Sequence, residues 1–125
     1  RLLVNMPILG VGTDIVEVER IREMVEKDTG FAERVFTRRE LDYSLPKVTR
    51  YEHLAARFAA KEAVAKALGR SFSWQEVEMI NNADGKPEVI LYDRAKTAAN
   101  GACVHVSVSH TREHACAVAV VEAGE

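Results

Sequence analysis

The chain has 125 residues, 47% hydrophobic and 29% charged, with no apolar run near the ~20 residues of a membrane span; this composition reads as one soluble globular domain. The net charge of −2 is unevenly placed. Arg34 to Arg70 holds nine bases and four acids, net +5, against −7 elsewhere, a field that suits an anionic ligand or acidic partner, or else a set of solvated helix faces. Nucleic acid is disfavoured, because no aromatic residues interleave with the bases.

Leu2-Leu3-Val4 is too short for a signal-peptide core, and Met6 offers a natural start behind leftover or upstream residues 1–5. Ile8 to Val16 is β-branched and predicts a strand, with Gly10 and Gly12 flanking its apolar positions. Val18 to about Lys27 places Val18, Ile21 and Val25 on one helix face, and Gly30 closes that helix. Thr37-Arg38-Arg39-Glu40 is a capping box that starts a short helix ended by Pro46. A long helix then runs from about Arg50 to Leu68, stopped by Gly69.

The second half changes character. Trp74 to Ile80 predicts a strand, Asn82-Ala83-Asp84-Gly85-Lys86-Pro87 a turn, and Glu88 to Tyr92 the returning strand. Asp93 is expected to cap a short helix through Ala99, ending near Asn100-Gly101. Val104, Val106 and Val108 alternate with His105, Ser107 and Ser109, so one face of that strand is apolar. Thr111 to His114 turns the chain back, and the nearly all-apolar strand Ala115 to Val121 is expected to be covered on both faces. Helices first and an antiparallel sheet afterwards make an α+β fold. Cys103 and Cys116 fit no CxxC or zinc spacing and read as small buried strand residues; a disulfide has no support, and a reducing cytoplasm is the default setting.

Four residues carry candidate chemistry. Asp14 is a lone carboxylate in an apolar run, with a polar strand end or N-cap as the plainer reading. In Arg57-Phe58-Ala59-Ala60-Lys61-Glu62-Ala63-Val64-Ala65-Lys66-Ala67, Phe58, Glu62 and Lys66 share one helix face. An exposed Glu–Lys pair at that spacing is ordinary and worth ~0.2–0.5 kcal/mol, but the alanines imply a thin, partly buried helix that a backbone or ligand can approach. His110 sits where a strand meets a turn, in Ser107-Val108-Ser109-His110-Thr111, and can face a cleft; His53, His105 and His114 carry weaker signals. No nucleophile elbow or P-loop occurs, and Gly10-x-Gly12 lacks the third glycine of a dinucleotide fingerprint. Two separated carboxylates with a lysine suit magnesium, which keeps several waters and binds substrate phosphates.

The three blocks Gly10-Val11-Gly12-Thr13-Asp14-Ile15-Val16-Glu17-Val18, Arg57 to Ala67 and Ser107-Val108-Ser109-His110-Thr111, with the turn Asp84-Gly85-Lys86-Pro87, resemble the signature blocks of bacterial holo-acyl-carrier-protein synthases, the short trimeric phosphopantetheinyl transferases, from about Ile8 to Glu122. The resemblance implies magnesium-dependent transfer of the 4'-phosphopantetheine arm of coenzyme A to a serine of apo-acyl carrier protein, releasing adenosine 3',5'-bisphosphate, in support of fatty acid biosynthesis. It implies Asp14 and Glu62 as magnesium ligands. Glu62, Lys66 and His110 become catalytic residues, and Arg57, Lys66, Gly85, Pro87, His110 and Thr111 coenzyme A contacts. The serine proton passes to Glu62 or to a water held by Asp14. The helix after Asp14 implies carrier docking by Arg20, Met24, Phe31 and Arg34, although Glu23, Glu26 and Asp28 dilute its positive charge. It also implies a homotrimer with sites between protomers, for which the strand Ala115 to Val121 is suited. Two rivals use the same residues: a magnesium-dependent hydrolase of nucleotide pyrophosphates, and a module that binds coenzyme A or a carrier without chemistry.

Overall fold

The computed structural model describes residues 7–27 and 30–124; the leader and start expectations at residues 1–6 lie outside them. Elements follow in the order β1 (Ile8–Glu17), α1 (Val18–Lys27), α2 (Phe31–Val35), α3 (Arg38–Ser44), α4 (Arg50–Leu68), a 3-10 turn (Trp74–Glu76), β2 (Val77–Asn81), β3 (Pro87–Leu91), α5 (Asp93–Ala99), β4 (Cys103–His110) and β5 (His114–Glu122). β1, β5 and β4 form an antiparallel sheet in that order, and β2 pairs with β3 in a separate hairpin. The fold is α+β, as the element order implies.

One helix organises it. The α4 alanines Ala59, Ala60 and Ala63 are fully buried, and they meet the sheet's inner face of Val16, Ala115, Ala117, Ala119 and Val121. Small side chains on both surfaces allow close approach, and the glycines of β1 carry it furthest. A Cβ on Gly12 would fall 2.0 Å from the Ala63 carbonyl oxygen, and one on Gly10 1.9 Å from that of Ala67. The thin helix expected from the alanines is thus filled by strand backbone. Gly69 ends α4 in the left-handed region at φ 78°, donating its N–H to Ala65 and Lys66.

The capping box also forms: Thr37 N–H donates to Glu40 Oε1 at 2.8 Å, and Glu40 N–H to the Thr37 hydroxyl. Glu40 then reaches further than a cap needs. Its second oxygen, Oε2, accepts Met79 N–H at 2.9 Å, and Lys61 Nζ pairs with Oε1 at 2.8 Å.

Several expectations change. Trp74–Glu76 is a 3-10 turn, so the strand starts only at Val77. Gly30, at φ 93°, leads into α2, a five-residue helix that no sequence pattern announced. Asp93 does not cap α5; it holds φ 50°, and the Glu76 carboxylate takes the Ala95 N–H at 3.1 Å instead. Burial alone would push the Glu76 pKa up, but the Ser73 amide, Arg94 and the Ala95 amide overcome it and hold the group at about 2. Cys103 and Cys116 lie in strands but are exposed. Cys103 sits opposite Glu122 and Cys116 opposite Ser109, roughly 20 Å apart along the sheet at ~3.4 Å per residue, beyond any bridge.

β5 is not covered on both faces. Ala115, Ala117, Ala119 and Val121 are buried, while Cys116 is exposed and Val118 and Val120 are half-buried. The outward sheet face continues into β1 with Leu9, Val11 and Ile15, each at least 59% exposed. Among the described residues no second layer covers that face.

Candidate active site

β1 and α4 together deliver the first cluster. The glycine contacts fix β1 along the C-terminal half of α4, which brings Asp14 to Lys66 across 52 residues of sequence. Lys66 Nζ lies 3.4 Å from Asp14 Oδ1 and donates to the Thr13 carbonyl oxygen at 2.9 Å. Glu62, one turn before Lys66, is half-buried and makes no hydrogen bond among the described residues. Burial raises its pKa, Asp14 adds to the rise, and Lys66 pulls it back. Asp14 and Lys66 therefore act on Glu62 with opposite sign. A cleft of about 410 Å³ opens beside Glu62 and Lys66, walled by Ala65, Phe72 and Trp74. The Trp74 ring stacks on Phe58 at 4.8 Å, so the apolar end of the Phe58–Glu62–Lys66 stripe backs this wall through Trp74.

The donor set fits magnesium. No group of three or more metal-ligating side chains exists among the described residues, which disfavours a closed all-protein cage for zinc or calcium. Glu62, without a hydrogen-bond partner among the described residues, lines the cleft, Asp14 lines a neighbouring hollow, and Lys66 borders both; two carboxylates and a lysine are a partial shell of the kind magnesium completes with water and phosphate.

His110 belongs to a second cluster, at the other end of α4. Its Nδ1 lies 2.8 Å from Glu52 Oε1, and its ring meets His53 edge-on at 5.4 Å. His53 meets Tyr43 at 5.7 Å, and both Lys47 Nζ and the Arg57 guanidinium lie 4.3 Å from the Tyr43 centroid. Burial lowers the His53 pKa first, and the neighbouring His110, Arg57 and Lys47 lower it further. Arg57 is only 2% exposed; it donates to Asn81 Oδ1 at 2.6 Å, while its buried Nε has no hydrogen-bond partner among the described residues. Asn81 in turn donates to the carbonyl oxygen of Gly85 in the β2–β3 turn, where Pro87 begins β3. Thr111 uses its hydroxyl to accept the Glu113 and His114 amides and so shapes the turn after His110.

The residues expected to touch coenzyme A thus form one connected patch, apart from Lys66. Glu52 and Lys66 are about 21 Å apart along α4, and Arg57 and Glu62 project about 140° apart around it. A single chain does not bring the Asp14–Glu62–Lys66 cluster and the His110–Arg57 cluster into one pocket. Glu52, Tyr43 and Asn81 carry no signature in the sequence, and His53 only a weak one. The i,i+4 pair His53 and Arg57 was the one signal available for them.

Of the expected docking residues, Arg20 is exposed without an ion pair among the described residues, and Arg34 is also exposed. Met24 is half-buried, whereas Phe31 is 4% exposed and packs edge-on against Phe36 inside the core. Arg22 is occupied by Glu19 and Glu26.

Comparison with known proteins agrees with this architecture. A model of the 4'-phosphopantetheinyl transferase superfamily matches residues 10–119. The holo-acyl-carrier-protein synthase of Caldanaerobacter subterraneus is 46% identical over 121 residues, spanning 92% of this chain and 95% of that protein. The crystal structure of holo-ACP-synthase from Plasmodium yoelii matches with TM-score 0.85 and 32% identity over 98% of this chain and 100% of that one. That of a holo-(acyl-carrier-protein) synthase from Bacillus anthracis, in complex with CoA (3',5'-ADP), matches with TM-score 0.81 and 36% identity over 96% and 100%. The chain belongs to the 4'-phosphopantetheinyl transferase superfamily and is an enzyme of its holo-acyl-carrier-protein synthase family.

Proposed function

We propose that this chain, as one transferase domain, moves the 4'-phosphopantetheine arm of coenzyme A onto a serine of apo-acyl carrier protein with magnesium, releasing adenosine 3',5'-bisphosphate. The observation that supports the reading is the convergence of Asp14, Glu62 and Lys66, with Lys66 bordering both the cleft beside Glu62 and the hollow beside Asp14, through close glycine-to-alanine packing of β1 on α4.

Asp14 and Glu62 would hold the magnesium, which supplies neutralising charge to the phosphate oxygens. Lys66 is tethered to the Thr13 carbonyl oxygen, so its side-chain nitrogen is held in place before substrate arrives. The serine oxygen attacks the β-phosphorus, the bond to the leaving bisphosphate breaks, and the serine proton needs an acceptor. Glu62, whose affinity for a proton is raised by burial and by Asp14, is suited to take it. His110, Thr111, Arg57, Gly85 and Pro87 would hold the nucleotide end of coenzyme A, His110 directly and Arg57 from beneath Tyr43.

The separation of the two clusters along α4 favours sites completed by another copy of the chain. The outward sheet face of Leu9, Val11, Ile15, Val118 and Val120 offers the apolar surface for a homotrimer. A hollow of about 470 Å³ on that face runs from Asp14 and Lys66 to Ser107 and Cys116, so a protomer seated there would border the metal cluster. Arg20 and Arg34 would meet the acidic carrier, with Met24 beside them and Phe31 setting the shape below. No described helix is long and apolar enough to cross a membrane, and the proposed place of action is the cytoplasm, in fatty acid biosynthesis.

The test is release of adenosine 3',5'-bisphosphate from coenzyme A and magnesium, with and without apo-acyl carrier protein. Release that requires the carrier supports transfer. Release without it favours the pyrophosphate hydrolase, and binding without release favours the module that performs no chemistry.

A further inference from the structure

Glu52 stands in none of the roles above, yet it makes the closest contact to His110. The α4 first turn places its carboxylate against the end of β4, with Glu52 Oε1 2.8 Å from His110 Nδ1. The side chains are 18% and 32% exposed, so the pair is neither a solvated surface contact nor sealed in the core. A carboxylate only accepts hydrogen bonds, so the proton between them resides on Nδ1. Nε2 is then the ring nitrogen without a protein partner among the described residues. His53 packs edge-on against the same ring at 5.4 Å and limits its rotation. His53 itself is held toward its neutral form, by burial first and then by His110, so it does not compete for the carboxylate as a second cation.

We propose that Glu52 is a positioning residue for the transfer reaction: it fixes His110 in the tautomer with Nδ1 protonated and aims Nε2 away from α4 toward the coenzyme A phosphates, to which Nε2 can donate a hydrogen bond once it carries a proton. This rests on the reading of His110 as a coenzyme A contact. The logic is that of a carboxylate behind a ligating histidine, where the rear partner sets ring orientation and tautomer. A salt bridge serving only to staple β4 to α4 would instead act through stability alone.

The experiment uses the ¹⁵N-labelled full chain. Long-range ¹H–¹⁵N spectra without ligand, recorded at a pH high enough to neutralise the ring, read the His110 tautomer directly. The wild type is expected to carry the proton on Nδ1 and Glu52→Gln to show a mixture, with an unchanged fold in its amide spectrum. In steady-state transfer, Glu52→Gln should raise the KM for coenzyme A about ten-fold and leave that for carrier protein unchanged. In a His110→Ala background the Glu52 change should add nothing. A wild-type ring protonated on Nε2 overturns the proposal even if Glu52→Gln fails to fold, and so does an unaltered tautomer in that variant. An undiminished Glu52 effect without His110 also overturns it. If the tautomer shifts while both His110→Ala and Glu52→Gln leave the coenzyme A KM untouched, the positioning role falls together with His110 as a coenzyme A contact, and the spectra show that the contact, not the geometry, was misread.

Discussion

Lys61 and Glu40 form an ion pair of 2.8 Å whose side chains are 1% and 0% exposed, directly beside the candidate metal ligand Glu62 in sequence. Lys61 also donates to the carbonyl oxygens of Trp74 and Val77, and Glu40 accepts the amides of Thr37 and Met79. One pair therefore ties α3, α4 and β2 together and sets the rotation of α4 that turns Glu62 to the cleft. Burial pushes the Lys61 pKa down, and Glu40 pulls it back up. Breaking one side leaves a buried charge unpaired, so Lys61→Met should cost about 3–5 kcal/mol in urea unfolding. Adding Glu40→Gln should cost much less than the sum of the two single changes.

Gly12→Ala tests the contact that aligns Asp14. The new Cβ would meet a backbone carbonyl oxygen, which no side-chain rotation relieves. A loss of about 3 kcal/mol is expected, at the upper end of the overpacking range, with transfer activity falling further than stability because β1 must shift. Gly85→Ala is the control: it has φ 83° with no neighbour within 4 Å, and should cost about 1–2 kcal/mol through backbone strain alone. Thermal and urea melts of both variants decide it.

Glu62→Gln should abolish transfer without unfolding the protein. Glu62 has a folded pKa above its ordinary 4.5, from burial and then Asp14, against the pull of Lys66. A carboxyl raised in this way favours the fold most below its unfolded pKa, and that contribution is lost as pH rises through the folded pKa. At neutral pH the ionised group is a cost, so Glu62→Gln should melt at the same temperature or higher, with the advantage disappearing in acid. A lower melting temperature at neutral pH would make Glu62 structural.

Much of this was legible in local pattern. The capping box at Thr37, the span of α4, its glycine stop and the β2–β3 turn depend on neighbours in sequence, and they appear as read. What failed depends on remote partners. α5 begins not with an Asp93 cap but under the Glu76 carboxylate, a contact between residues that local pattern does not link. Asp14 and Lys66 could be singled out, but their meeting depends on how closely Gly10 and Gly12 let two backbones approach. The outward face of β5 looked like core because apolar residues alternate there with alanines that truly are core; one chain supplies only one covering layer.

That uncovered face gives a direct prediction. Ile15 is 68% exposed, opposite Cys116, so Ile15→Arg should leave the monomer's core intact. If the face joins copies of the chain, sedimentation should show trimers for the wild type and smaller species for Ile15→Arg, with transfer activity lost in parallel. Unchanged oligomers would move the interface elsewhere.

Transfer itself is read from the intact mass of apo-acyl carrier protein after incubation with this enzyme, coenzyme A and magnesium. A gain of one phosphopantetheine is expected, abolished by EDTA and by Glu62→Gln. An unchanged carrier mass while coenzyme A is consumed would contradict transfer.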